Sequence, residues 1–285
     1  MKRIILPVLA YLLCVVPLLC HQTPRSMQIL TSGIEFRTLT FGQTYVPEGA
    51  DEGVQLYDSL SYICPATGSD PFTLAALQTL LSREVLGFTT RLTPANFDQI
   101  VQSHHKLYIR QYENDAYAMR ATPEDKPLYV NYGRYITTRL DYNSPRALVI
   151  EMRRDDYTGG AHGNYSIRRM SIRLGGAHTA VLKPTDLFTQ DFDSTAVLGW
   201  VKEALLAENG CKTAEELMEK TCITLDDVFL TPNVSIDPKG ITFIYQPYEI
   251  ACYAGGAQRV TLPMERMKPW LKPGIAELFA APAGE

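Results

Sequence analysis

Histidine is scarce in this chain, with five in 285 residues, and the two tryptophans are scarcer still. So few imidazoles leave little room for histidine-based catalysis or a histidine-rich metal site. A surplus of one charge is missing as well, since 27 Lys and Arg face 31 Asp and Glu for a formal net charge of −4. Without a basic patch there is no footprint for a nucleic-acid backbone, so no nucleic-acid partner is expected. No CxxC pair occurs and no Cys/His cluster has zinc spacing, which excludes a structural-zinc or thioredoxin-like protein. GxSxG, HExxH, a Walker loop and a GxGxxG turn after a strand are all absent. No metal and no cofactor are expected. Catalytic sites assembled from distant positions leave no such signature, because geometry alone defines them. Internal repeats and low-complexity tracts are lacking too, and 46% hydrophobic with 20% charged residues is an ordinary globular composition.

Long apolar runs are limited to one, the 17 residues from Ile4 to Cys20, preceded by Lys2-Arg3 and followed by polar His21-Gln22-Thr23-Pro24-Arg25. That order reads as a secretory leader over 1–20 and a short tether over 21–30, which makes the protein extracytoplasmic. Its length is at the lower edge of a bilayer span, so an uncleaved anchor stays open. Cys20 offers a lipidation site, although Leu18-Leu19 stands where a small residue usually precedes a lipidated cysteine. A membrane-anchored lipoprotein and a soluble secreted or periplasmic protein are the other two outcomes. Beyond the leader, Cys64, Cys211, Cys222 and Cys252 form an even set in a disulfide-permissive compartment. Cys211 and Cys222 are expected to pair, because they bracket a short helix with little core of its own. Cys64–Cys252 would take the remaining two.

Asp70-Pro71 predicts a helix start, with Leu74, Leu77, Leu81 and Val85 on one face and Gly87 as the stop. Thr93-Pro94 predicts a second, longer helix bearing Phe97, Val101, His104 and Tyr108. His104-His105 reads as structural, with one member facing the core. A third helix runs from Asp193 to Asn209-Gly210, and Thr213-Ala214-Glu215-Glu216 opens a fourth as a capping box. Strands are expected at 34–40, 54–63, 129–142, 147–154, 165–174, 241–245 and 257–262. Strands separated by a few helices, without a βαβ rhythm, predict an α+β fold of mainly antiparallel sheet packed with three to four helices. The domains expected are 31–142 and 143–275, with a tail over 276–285.

Two stretches invite a functional reading. In Tyr157-Thr158-Gly159-Gly160-Ala161-His162-Gly163-Asn164-Tyr165, the glycines allow a tight, unusually shaped connection between strands. It is either a ligand-facing loop presenting His162 or a bulged hairpin with His162 pinning the turn. In Phe243 to Gly256, Tyr245, Tyr248 and Tyr253 form either a stacking surface for sugar or protein, or sheet and core filling.

These stretches, in this order and with Leu187-Phe188 and a helix between them, resemble a pair of adjoining extracytoplasmic domains of unknown function. They are found in the outer portion of lysozyme-sensing anti-sigma factors of the RsiV type and beside the catalytic domain of PdaC-type peptidoglycan deacetylases. The resemblance covers about 155–272, rests on two motifs at family spacing, and extends more loosely over about 30–140. Cys252 stands where the family often has proline or another residue, which hints at a local disulfide. The resemblance implies no catalytic residues, since the deacetylase chemistry of fused members resides in a separate domain for which 285 residues leave no space. The expectation is a non-enzymatic cell-envelope protein binding a peptidoglycan fragment or a lysozyme-like secreted protein. The alternative is a cell-wall-active hydrolase or deacetylase. Keeping both motifs in one domain implies that the fold joins them. Tyr157, His162 and Asn164 should then lie near Tyr248, Glu249 and Tyr253, with Glu249 orienting His162. Tyr248 is expected in the core.

Overall fold

The computed structural model describes residues 32–280. The leader 1–20 with Cys20, and the tether 21–30, lie outside the described residues. Asp70 accepts the Phe72 N–H at 3.0 Å to open α1 (Pro71–Leu86), and Gly87 closes it at φ 74. The second helix, α2 (Phe97–Ala118), starts later than Thr93-Pro94 predicts. Asn96 turns its side-chain oxygen back onto the Thr93 N–H at 2.7 Å, so these residues make a turn before the helix.

Strands β1 (Ile34–Tyr45) and β2 (Leu56–Gly68) form an antiparallel pair. Helices α1 and α2 then cross over, so β3 (Tyr132–Asn143) returns parallel to β2. Next come β4 (Ala147–Thr158), β5 (Asn164–Arg173) and the short β6 (Ala180–Val181), all antiparallel, completing a six-stranded sheet in sequence order. The chain continues through α3 (Pro184–Leu187), α4 (Ser194–Glu208) and α5 (Ala214–Thr221). A three-stranded antiparallel sheet follows, β7 (Val234–Asp237), β8 (Gly240–Tyr245) and β9 (Gln258–Pro263), then α6 (Met264–Met267) and α7 (Ile275–Leu278). The fold is α+β and mostly antiparallel.

Strand β4 divides the interior. Leu148 and Ile150 bury among Leu77, Leu81 and Val101 of α1 and α2. Ala147 and Val149 point the other way, into a core with Val197, Val201, Phe243 and Val260. Burying each large aliphatic side chain contributes about 1.5–3 kcal/mol. Ser171 of β5 adds a polar tie between the sheets, donating to Ile236 O and accepting from Ile236 N, both at 2.8 Å. Arg169 beside it reaches Asp141 of β3 at 3.0 Å and Asp237 of β7 at 2.7 Å.

The division expected at 142/143 falls at the end of β3, next to β4 in one continuous sheet. The start expected for the tail, at 276, is corrected: α7 occupies it, and Phe279 is fully buried against Tyr142. The Cys211–Cys222 bridge is not formed either. Cys211 is buried with its thiol on Asn209 O at 3.5 Å, while Cys222 is exposed. Cys64 is fully buried in the α1/α2 core, and Cys252 is exposed elsewhere, so that pair is not joined. Among the described residues, no helix is long and apolar enough to cross a membrane.

Candidate functional site

The glycine-rich connection between β4 and β5 is a short hairpin turn, with Asp156 opposite Asn164. Gly159 and Gly160 sit at φ 87 and 89, which only glycine adopts without strain. Gly163 is needed for space, since a Cβ there would lie 2.9 Å from Asp156 O. Tyr157 folds over the turn and donates to Gly160 O at 3.0 Å. The turn lifts His162 off the sheet into solvent. Its Nδ1 faces Gly163 O at 2.7 Å, and a carbonyl only accepts, so Nδ1 holds the proton. Nε2 is left to accept from Tyr248 Oη at 3.3 Å.

The second motif leaves β8 through Gln246-Pro247-Tyr248-Glu249, a turn closed by Glu249 N–H on Gln246 O at 3.1 Å. Gln246 anchors it to β5 like a strand residue, accepting from Ile167 N at 2.8 Å and donating to Ile167 O at 2.7 Å. Pro247 supplies the fixed φ, and Tyr248 takes the left-handed position at φ 71 where glycine is ordinary. That strain turns the Tyr248 ring outward, where 60% of the residue is exposed. Tyr253 follows in a single 3₁₀ turn, Tyr253–Gly255.

The two motifs meet. The His162 ring stacks on Tyr253 with centroids 4.1 Å apart and an 18° interplanar angle. Tyr248 tilts at 31° to Tyr253 at 5.5 Å, and Tyr165 meets Tyr253 edge-on at 6.3 Å. Tyr165 is held beneath by Arg153, whose guanidinium lies 4.1 Å from its centroid, and by the Ala257 N–H at 2.8 Å on its hydroxyl. Arg153 is fixed in turn by a fork onto Asp155, at 2.8 and 2.6 Å. The result is a shelf of aromatic rings, open to solvent above and braced below. Such a surface offers flat apolar faces beside a hydroxyl and an imidazole, which suits a ring with one apolar face and polar edges.

His162, Tyr248 and Tyr253 converge as the motif order implies. Tyr157 and Asn164 do not join the shelf: Tyr157 pins the turn, and Asn164 uses its side-chain oxygen on Tyr165 N at 2.9 Å. Glu249 does not orient His162, because its carboxylate accepts the Gln246 N–H at 2.6 Å and closes the turn. Tyr248 is exposed rather than in the core, since its left-handed backbone aims the ring away from the sheet. Arg153 lies outside both motifs, and Tyr165 ends the first of them without being assigned a role there. Pairing outward from the glycine turn would have found them, because it sets Tyr165 opposite Asp155, two residues from Arg153.

A second polar cluster lies under α2. Arg134 forks onto buried Asp58 at 2.9 and 2.7 Å, and His105 reaches the same carboxylate at 3.0 Å. Arg134 also donates to His104 Nδ1 at 2.9 Å and covers the Tyr108 ring at 4.0 Å. One side of the cluster borders a cavity of about 530 Å³ lined by His104, Tyr108, Arg154 and Asp156. Burial, and then the Arg134 charge, push the His104 imidazole down to about 4. Above pH 6.5 this ring is neutral in both folded and unfolded chains. Between pH 6.5 and 4 the unfolded chain takes up a proton that the folded chain refuses, so stability falls with pH. Discounted for partial exposure, the loss is about 1–2 kcal/mol. His104→Gln should shed that portion of the pH dependence in urea titrations run at pH 7 and pH 4.5. Identical slopes for the two proteins would contradict it.

Residues 185–265, from α3 into α6, match the family model described as "Protein of unknown function (DUF3298)". Two solved structures have a similar fold. A member of this family from Bacteroides fragilis NCTC 9343 superposes with a TM-score of 0.73 at 23% identity, covering 88% of this chain and 98% of its own. A DUF3298 family protein from Pseudomonas aeruginosa PAO1 gives 0.56 at 18% identity, covering 87% and 98%. No curated protein matches.

Proposed function

We propose that this chain is a non-enzymatic, exported cell-envelope protein that binds a peptidoglycan fragment on the shelf of His162, Tyr248 and Tyr253. One observation supports the reading above the others. Among the described residues, the non-glycine residues at positive φ are Tyr248 and Cys222, and Tyr248 spends that strain on holding a tyrosine in solvent. A ring needed only for packing would point inward. The resemblance to lysozyme-sensing and deacetylase-associated outer domains favours a cell-wall partner, and the apolar leader favours export. A lysozyme-like protein is the other ligand to test on the same surface.

Calorimetric titration with soluble muropeptides, and separately with lysozyme, tests both. Tyr253→Ala should weaken binding by 10-fold or more, in line with about 1–3 kcal/mol for a lost stacking ring. Tyr253 is half-buried, so a fall of a few degrees in Tm is expected alongside. Undiminished affinity in Tyr253→Ala would remove the shelf from recognition. Turnover of the muropeptide, read as released acetate or new reducing ends, would favour the cell-wall enzyme instead.

A further inference from the structure

Four cysteines lie in the described residues, and they divide by surroundings. Cys64 and Cys211 are buried in separate cores, whereas Cys222 and Cys252 are both exposed. The exposed two are 30 residues apart in sequence but adjoin in space. Thr224 N–H donates to Ile250 O at 3.2 Å, and Gly255 approaches so closely that a Cβ on it would lie 2.7 Å from Thr221 O. These backbone contacts bring the Cys222 and Cys252 segments side by side, each with a free, exposed thiol. Cys222 also ends α5 at φ 60, a left-handed position where glycine is ordinary. A cysteine held there against its backbone preference, on a segment packed against the one that carries a second cysteine, is a placement for its sulfur.

We infer that Cys222 and Cys252 form a disulfide that fastens the Tyr253 segment to the end of α5. The Cys222 S–H, and then the Gly255 and Ala254 N–H groups, lower the pKa of the Cys252 thiol, which favours Cys252 as the first of the two to attack. Cys252 Sγ attacks one sulfur of a disulfide oxidant, whether a small molecule or a protein, and expels one thiolate. Cys222 then loses its proton and attacks Cys252 Sγ, expelling the second. Two protein thiols are oxidised, the oxidant disulfide is reduced to two thiols, and no other reactant is needed. The bond sits one residue before Tyr253, so it fixes the plate on which His162 stacks. Its part in recognition rests on the binding reading above, but the bond itself does not.

The full chain, equilibrated in a glutathione redox buffer, should be unfolded, alkylated without reduction and cut with trypsin. Peptides Thr221–Lys239 and Gly240–Arg259 should appear joined, while Cys64 and Cys211 are alkylated. Alkylation of both Cys222 and Cys252 in the oxidised sample would overturn the inference. Reduction of the folded protein should lower Tm by roughly 7–14 °C, from the loop-closure entropy of a bridge of this span. It should also speed amide exchange over 250–256 about tenfold, and unchanged exchange would refute the fastening. A mapped bridge with no muropeptide binding in either redox state would defeat the binding reading and leave the bond standing.

Discussion

Arg134→Met is expected to cost about 3–5 kcal/mol of folding stability, because it strands a carboxylate inside the protein. Asp58 and Arg134 are 3% and 5% exposed, and the guanidinium gives Asp58 two short hydrogen bonds. Methionine matches the stem of arginine but offers neither bond. Asp58 would keep only His105, and the Tyr108 ring would lose its cationic cover. The pair also ties β2 to β3, the one parallel junction in the six-stranded sheet, so the loss should reach both strands. Asp58→Ala/Arg134→Met should lose less than the two single changes added, since removing both charges leaves no ion unpaired. Urea unfolding at pH 7 measures all three. A cost below about 1 kcal/mol for Arg134→Met would mean that water replaces the guanidinium, and that the cluster is no lock.

That ion pair was illegible in the sequence, whereas much around it was not. Asp70-Pro71 and Gly87 mark the two ends of α1 because a cap uses neighbouring residues, and local chemistry is written locally. Asp193 and Thr213 mark α4 and α5 for the same reason. Asp58 and Arg134 lie 76 residues apart and meet only because α1 and α2 carry the chain across the sheet. The site divides the same way. The glycine turn and the exposed tyrosines were legible as motifs, and their order implied a meeting. Roles set by one dihedral angle were not. The left-handed backbone of Tyr248 moved it from expected core to solvent, and the nearby Gln246 N–H took Glu249 away from His162. The disulfide expectation failed similarly, because flanking a helix brings two residues near in sequence without aiming their sulfurs at each other. The end of α5 that carries Cys222 packs instead against the Cys252 segment, and only the fold of Ile250–Gly256 against Thr221 decides that.

Gly240→Ala should be the most damaging single-methyl change for the shelf, although it touches none of its rings. Gly240 begins β8 at φ 146, and a Cβ there would lie 1.9 Å from Leu262 O and 2.9 Å from Met264 N. Those atoms are backbone, held by the β8–β9 pairing and by Met264 N–H on Lys239 O at 3.0 Å, so no rotamer change makes room. Strain at the dihedral and overpacking add, and about 3–5 kcal/mol is expected. The damage should spread along one element. Strand β8 leads directly into Gln246, whose amide is the anchor on Ile167, and then to Tyr248 and Tyr253. A shift at Gly240 therefore loosens the half of the shelf that stacks on His162, while the hairpin bearing His162 stays on the first sheet. Muropeptide affinity should fall even where the protein remains folded, at low temperature and without denaturant. Gly175→Ala is the comparison, since a Cβ there meets nothing within 4 Å. Thermal melts and muropeptide titration of both variants decide the matter. A Gly240→Ala protein that melts and binds like Gly175→Ala would show that β8 does not set the position of the shelf.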